Sequence, residues 1–330
     1  MLGAWAVLVA GLFLLVIGGE ALVRGSATVA RRLGLSPLII GLTLVGFGTS
    51  TPELATSVDA ALSGAPDIAV GNVIGSNIAN VLLILAAAAL ICPLTCRRDA
   101  VLRDGLAALG ATFAVIAFGL LGGVGRTGGV LFLTTLATYV FVTYRLERNA
   151  ANASSDMHRH EAELAPSVLG PVWLPVAATL AGIAAIVAGA ALLVDGATQI
   201  ARSAGISEAV IGLTLVAVGT SLPELTVSII AAVRREADIA FGNIVGSNIF
   251  NVLGILGITA IIEPLRFDSR FMVLDVWVML AAIVGLLVFA MTRSRLERWE
   301  GGTFLVIYSA YLFVLFYPDV LAASGTAFPR

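Results

Sequence analysis

Ten apolar stretches divide the chain, at 4–23, 37–62, 67–93, 104–122, 127–144, 172–195, 208–233, 238–262, 271–291 and 302–318. A helix needs about 20 such residues to cross the hydrocarbon core of a bilayer. Each stretch meets or approaches that length, so the pattern predicts an all-α polytopic membrane protein with ten transmembrane helices. The connections are short and polar, with one exception. Residues 145–167, RLERNAANASSDMHRHEAELAPS, are too few and too polar for a folded domain, and their composition predicts a flexible linker. The opening MLGAWAVLVAGLFLLVIGGEALVRG lacks a positively charged leader and an evident cleavage site, and reads as the first span.

Composition supports this class. Of 330 residues, 59% are hydrophobic and 12% charged, with a mean hydropathy of +1.01, more apolar surface than a soluble fold can hide. The net charge of −2 excludes little by itself, but its distribution is informative. There is no lysine, and 14 of the 19 arginines fall in alternate connections: 24–32, 97–103, 145–159, 234–235 and 293–298. The positive-inside rule makes that face cytoplasmic and puts both termini outside. A plasma (inner) membrane location follows, with the lipid bilayer as the main partner. Nothing resembles a nucleic-acid surface, and no obligate protein partner is evident, so a monomer is expected. Cys92 and Cys96 read as small residues near a helix end rather than as a disulfide or metal pair.

The chain repeats itself. Shifted by 171 residues, 40–94 aligns with 211–265 without a gap and with 33 identities in 55 positions. The match extends upstream, where LVRGSATVARRLGLS (22–36) faces LVDGATQIARSAGIS (193–207). Five spans separate equivalent points, so the copies enter the membrane in opposite directions. The expected organisation is two inverted five-helix repeats, at 1–144 and 171–330, around a cytoplasmic linker at 145–170. Inverted repeats are the recurrent architecture of secondary transporters, with ion sites where broken helices meet near the midplane.

Both copies carry the same polar positions in otherwise apolar sequence. GTSTPE (48–53) and GTSLPE (219–224) place Thr49, Glu53 and Ser57, and again Thr220, Glu224 and Ser228, on one helix face. Pro52 and Pro223 leave the carbonyls four residues earlier without a donor. A carboxylate at membrane depth costs about 2.5–3.5 kcal/mol on insertion scales and marks function by default. Carboxylates, hydroxyls and freed carbonyls are the oxygen donors that hard cations such as Na⁺ and Ca²⁺ choose. The following spans repeat Asn72, Ser76 and Asn80 as Asn243, Ser247 and Asn251, further oxygens at a spacing of four. Gly71 with Gly75, and Gly242 with Gly246, form GxxxG pairs suited to close helix packing. Asp67 and Asp238 read as helix N-caps, and Glu20 with Arg24 as an i,i+4 pair. Asp59, whose counterpart is Ile230, is either a wetted helix end or a residue drawing cations to an outer vestibule. Both histidines, His158 and His160, lie in the linker, and no HExxH or GxSxG motif occurs, so no enzyme is expected.

At GTSTPE with GNVIGSNIAN, and GTSLPE with GNIVGSNIFN, the sequence resembles the two α-repeats of the sodium/calcium exchanger family, in the cation/Ca²⁺ antiporter superfamily. The resemblance implies a compact prokaryotic Na⁺/Ca²⁺ antiporter with no cofactor, in which Glu53 and Glu224 are the central ligands of both ions. It implies oxygens from Thr49, Ser50, Thr220 and Ser221 beside them, and backbone carbonyls at Gly46 and Ala217. Gly46 stands where the family more often has alanine. Ser76 and Ser247 match flanking Na⁺ sites, completed by Asn80 and Asn251. Some archaeal and K⁺-dependent relatives carry aspartate where Asn251 stands, so K⁺-independent exchange is implied; a third Na⁺, which the resemblance also suggests, would make it electrogenic. The first and sixth spans would be the moving ones, and their glycines (Gly11, Gly18, Gly19; Gly182, Gly189) would let them slide. The alternatives are a Ca²⁺/H⁺ antiporter of the same superfamily and, further off, a passive cation channel.

Overall fold

The computed structural model describes residues 2–95, 97–157, 171, 173–204 and 217–316. These are helical apart from short connections and four two-residue strands. The first half comprises α1 (Leu2–Leu33), α2 (Pro37–Thr49), α3 (Thr51–Leu62), α4 (Pro66–Ile91), α5 (Arg98–Leu120) and α6 (Arg126–Met157). The second comprises α7 (Trp173–Ser203), α8 (Ala217–Thr220), α9 (Leu222–Val233), α10 (Ala237–Ile262), α11 (Phe271–Thr292) and α12 (Arg298–Phe316). Seven of these, α1, α4, α5, α6, α7, α10 and α11, are long and apolar enough to cross a membrane. The pair α2 and α3 makes an eighth span if taken together, bent by 43°. This is a multi-pass helical membrane protein.

The bend has a local cause. Ser50 closes α2 with φ −81° and ψ 11°, and Pro52 falls in the first turn of α3, where its missing N–H is not needed. Pro223 occupies the same place in α9, after Ser221 at φ −91° and ψ 4°. The sequence contains no comparable signal for the π-helical turns at Gly41–Val45, Asn80–Leu85, Phe250–Leu256 and Phe271–Asp275.

The centre of the molecule is α4 and α10, whose spans are 67% and 83% buried, against 33% and 28% for α1 and α7. Outside this centre, α1 and α7 pair along their backbones. A Cβ added at Gly11 would lie 2.6 Å from the Leu193 nitrogen, and one at Gly182 would lie 2.6 Å from the Leu22 nitrogen. Gly11, Gly18, Gly182 and Gly189 therefore fasten the two helices to each other instead of easing them past the bundle. Gly19 alone of the five turns outward, against Ile230 and Thr226 of α9. Gly242 likewise admits the α2 backbone, with Leu38 O 2.7 Å from its would-be Cβ. Among the described residues Gly75 meets nothing within 4 Å.

Two antiparallel strand pairs staple one half to the other. Leu94–Thr95 (β1) pairs with Arg295–Leu296 (β4), and Gly123–Val124 (β2) pairs with Leu265–Arg266 (β3). The 171-residue offset carries β1 onto β3, and one more residue carries β2 onto β4. Buried clamps repeat as well: Tyr139 Oη donates to Asp104 Oδ1 (3.0 Å) between α5 and α6, and Tyr311 Oη to Asp275 Oδ1 (2.9 Å) between α11 and α12.

The arginine-rich connections share one face. Glu20 pairs with both Arg24 and Arg234, Arg32 donates to Pro171 O at 2.7 Å, and Arg97 lies 3.7 Å from Glu147 and in the field of Asp238. The β1–β4 pair brings the 293–298 connection to the same face.

Three expectations need correction. The helix α6 runs on through 145–157, so the first half of the expected linker is helical. Its Arg, Leu, Glu and Ala residues are good helix formers, and neither Pro nor Gly interrupts them. Residues 158–170, with both histidines, lie outside the described residues, as do Cys96, 205–216 of the seventh span's approach and 317–330. Asp67 and Asp238 are not N-caps: Ala65 and Glu236 hold those positions, and the aspartates sit in the first turn. The third is the role of the α1 and α7 glycines, given above. Cys92 is a free, half-buried thiol.

Candidate functional site

The two broken helices bring their motifs together at the centre of the fold. Glu53 and Glu224 are each 1% exposed, in the first turns of α3 and α9, where the helix dipole favours a carboxylate. Each receives a hydroxyl from the opposite copy. Ser50 Oγ donates to Glu224 Oε1 at 2.9 Å, and Ser221 Oγ to Glu53 Oε1 at a longer 3.4 Å. Thr49 Oγ lies 3.1 Å from Asn243 Oδ1 and 3.2 Å from Gly46 O. Ser247 Oγ donates to the same Gly46 carbonyl at 3.1 Å. The missing side chain at Gly46 matters here, because a Cβ would sit 3.0 Å from the Ser247 nitrogen.

Asn72 and Asn243 splint the half-helices through their amide nitrogens. Asn72 Nδ2 donates to Ser57 Oγ (2.9 Å) and Glu53 O (3.2 Å), while Asn243 Nδ2 donates to Ser228 Oγ (3.0 Å) and Glu224 O (3.3 Å). These ties between consecutive helices are made alike in both copies.

Asn80 and Asn251 lie in the π turns of α4 and α10, each 1% exposed. Their nitrogens are spent on two asparagines that the sequence reading did not assign. Asn80 Nδ2 donates to Asn248 Oδ1, and Asn251 Nδ2 to Asn77 Oδ1, both at 3.0 Å. The only sequence signal for Asn77 and Asn248 was their presence in both GSNI segments.

At this centre four buried oxygens, on residues with counterparts in both copies, have no hydrogen-bond partner among the described residues: Glu53 Oε2, Glu224 Oε2, Asn80 Oδ1 and Asn251 Oδ1. Two unpartnered acceptors from each copy, two of them on carboxylates, are a donor set for a cation and a costly arrangement otherwise. Among the described residues there is no group of three His, Cys, Asp or Glu that could hold a metal, so the formal charge comes from two carboxylates. Ser76 is buried, Thr220 and Ser221 are half-buried, and Ala217 opens α8, its side chain outside the described set. Asp59 is exposed and apart from this centre.

Comparison with known proteins identifies the family and the fold. A family model described as sodium/calcium exchanger protein matches residues 3–145 and 174–317. The chain is 36% identical over 350 residues to the sodium/calcium exchanger MaX1 of Methanosarcina acetivorans, covering 94% of this chain and 98% of that one. It is 39% identical over 308 residues to the inner membrane protein YrbG of Escherichia coli, covering 91% and 92%. Among solved structures, the sodium-calcium exchanger NCX_Mj superposes with a TM-score of 0.82 at 31% identity, over 94% of this chain and 98% of that chain. In family and fold, which are those of ion-transporting exchangers, the chain belongs to the sodium/calcium exchanger proteins.

Proposed function

We propose that this protein exchanges Na⁺ for Ca²⁺ by alternating access at the site between the two motifs. The observation that carries the reading is the set of four unpartnered buried oxygens, two carboxylate and two amide, supplied equally by the two copies. Around them, oxygens of Thr49, Ser50, Thr220, Ser221, Ser76 and Ser247 and the carbonyls of Gly46 and Ala217 complete the coordination of the transported ions. Two carboxylates balance one Ca²⁺ or two Na⁺. Return of a third Na⁺ makes the cycle electrogenic, and the neutral amide at Asn251 leaves no extra charge to demand K⁺.

The architecture proposed is ten spans in two inverted repeats, 1–144 and 171–330. The exchange of strand pairings supports it: β1–β4 lies beside Arg97 and Arg298, and its counterpart β2–β3 beside Arg126 and Arg266. The α1–α7 pair, tightly joined along its glycines and far less buried than α4 and α10, is the body that moves. Its Ile183 covers Gly48 and its Val194 covers Gly219, at the two breaks. The protein works as a monomer in the plasma membrane.

The decisive experiment is uptake of radiolabelled Ca²⁺ by proteoliposomes, with Na⁺, K⁺ and pH gradients imposed one at a time. An outward Na⁺ gradient without K⁺ is expected to drive uptake. Flux that follows a pH gradient in Na⁺-free buffer would instead establish the Ca²⁺/H⁺ alternative, and dissipative flux without a counter-ion the channel.

Orientation is tested separately. The arginine-rich face is expected to be cytoplasmic. A single cysteine at Ser155, in a chain lacking Cys92 and Cys96, should therefore react with an impermeant maleimide only after the cells are opened. Labelling of intact cells would reverse the topology.

A further inference from the structure

An asparagine side chain has two nearly isosteric ends, one an acceptor oxygen and the other a donor NH₂. A cation site can use only the oxygen; a flipped amide would aim two partly positive protons at the ion. Nothing in Asn80 or Asn251 alone decides which end faces the site.

The decision is made one residue pair away. Asn77 Nδ2 donates to the backbone carbonyl of Asn248 at 3.1 Å, and Asn248 Nδ2 to the backbone carbonyl of Asn77 at 3.4 Å. A carbonyl can only accept, so neither amide can turn without setting oxygen against oxygen in a buried site. Asn77 and Asn248 are each 2% exposed, and no solvent is at hand to compensate. Their Oδ1 atoms are therefore fixed as acceptors toward the other copy, where each receives an Nδ2: Asn251 on Asn77, Asn80 on Asn248, both at 3.0 Å. With their nitrogens held there, Asn80 and Asn251 must present Oδ1, and those two atoms are among the four without a partner.

We propose that Asn77 and Asn248 are positioning residues that lock the amides of Asn251 and Asn80, each across the boundary between copies, so that both offer oxygen to the transported cation. The proposal rests on the exchange reading above. It has a directional consequence: Asn77 serves Asn251, in the other copy, although its nearer neighbour in sequence is Asn80.

The test uses that crossed dependence. Asn77→Leu, close to isosteric but unable to hold an amide, is expected to raise the half-saturating Ca²⁺ of Na⁺-driven uptake by roughly tenfold to a hundredfold, the usual effect of losing a group that orients a metal ligand. Asn248→Leu should do the same through Asn80. A carboxylate has an oxygen at either end and needs no orientation. Asn251→Asp should therefore suppress the Asn77→Leu defect, returning the double variant to within about threefold of Asn251→Asp alone, well inside that range. It should leave the Asn248→Leu defect in place, and Asn80→Asp should show the opposite selectivity.

An unchanged half-saturating Ca²⁺ in Asn77→Leu would overturn the proposal. So would equal rescue of both leucine variants by one aspartate, or no rescue of either. If Asn77→Leu does not insert and Asn77→Leu/Asn251→Asp does not either, the residue is a packing element and the proposal fails. Absence of Na⁺-driven uptake by the unsubstituted protein would be a different result, since it removes the exchange reading itself.

Discussion

Glu53→Ala and Glu224→Ala are each expected to reduce Na⁺-driven Ca²⁺ uptake to the level of protein-free vesicles, while the purified variants stay folded. The magnitude follows from charge. At an effective dielectric of about 20, two unit charges 4 Å apart interact by about 4 kcal/mol, and a divalent ion doubles that. Each loss of about 1.4 kcal/mol is a factor of ten in affinity, so removing one carboxylate takes Ca²⁺ binding out of any working range. The hydroxyls of Ser50 and Ser221 cross between copies to the two carboxylates, and neither glutamate is a spare for the other. Glu53→Gln and Glu224→Gln separate charge from shape and should be as inactive as the alanine variants. Near-normal uptake by any of the four would remove the site assignment. Stability should not fall in parallel, because an unpaired buried carboxylate opposes folding and its removal relieves that cost.

The sequence showed the parts of the site that break the apolar pattern. A proline followed by a glutamate in the middle of a span, twice at a fixed offset, leaves few physical readings, and the structure places Pro52 and Pro223 where the two half-helices begin. Thr49, Asn80, Ser247 and Asn251 stood out for a similar reason, as oxygen-bearing side chains at a spacing of four against Val, Leu and Ile, whereas Ser50 and Ser221 entered only through the family resemblance.

What was not legible depends on rotation and orientation. A π turn adds a residue to the helical repeat, so the spacing of four from Asn72 to Asn80 enters the π turn at its last member, and similarly for Asn251. The face on which a residue lies beyond such a turn cannot be counted from hydrophobic periodicity. Asn72 and Asn243 looked equivalent to Asn80 and Asn251 because only the residue type was visible. Their nitrogens hold Ser57 and Ser228, and this distinction exists only once α3 lies against α4 and α9 against α10. The α1 and α7 glycines show the same limit. Their spacing revealed a smooth stripe, but not that each stripe faces the other one. Residues 145–157 were misread in the opposite sense, since polarity was taken as disorder where helix propensity was high.

Arg103 was legible as a charge but not as a structural element, and the largest stability effect is expected there. In the sequence it is one of several arginines that set topology. In the structure it lies inside α5, one-fifth exposed, between two buried carboxylates. Its Nε and Nη2 reach Asp104 Oδ1 and Oδ2 at 2.7 and 2.9 Å, and Nη1 reaches Glu147 Oε1 at 2.8 Å. Asp104 is 0% exposed and Glu147 5%. Leu274 holds the equivalent place in the second half, where Asp275 still keeps its tyrosine, so an arginine at that position is not required by the clamp as such. Arg103→Met removes the cation and leaves two carboxylates buried, a change that typically costs about 3–5 kcal/mol. Arg97, 3.7 Å from Glu147 on the other side, offsets little of this because its side chain is 45% exposed. Neutralising the carboxylates as well should recover most of the loss, since replacing a whole buried ion cluster is often close to neutral. Reversible unfolding in mixed micelles would measure this: Arg103→Met far below the parent protein, and Arg103→Met/Asp104→Asn/Glu147→Gln close to it. Equal stability of Arg103→Met and the parent would show that the cluster is solvated and contributes nothing. A triple variant as unstable as the single one would place the loss in the packing of the arginine stem between α5 and α6 instead of in its charge.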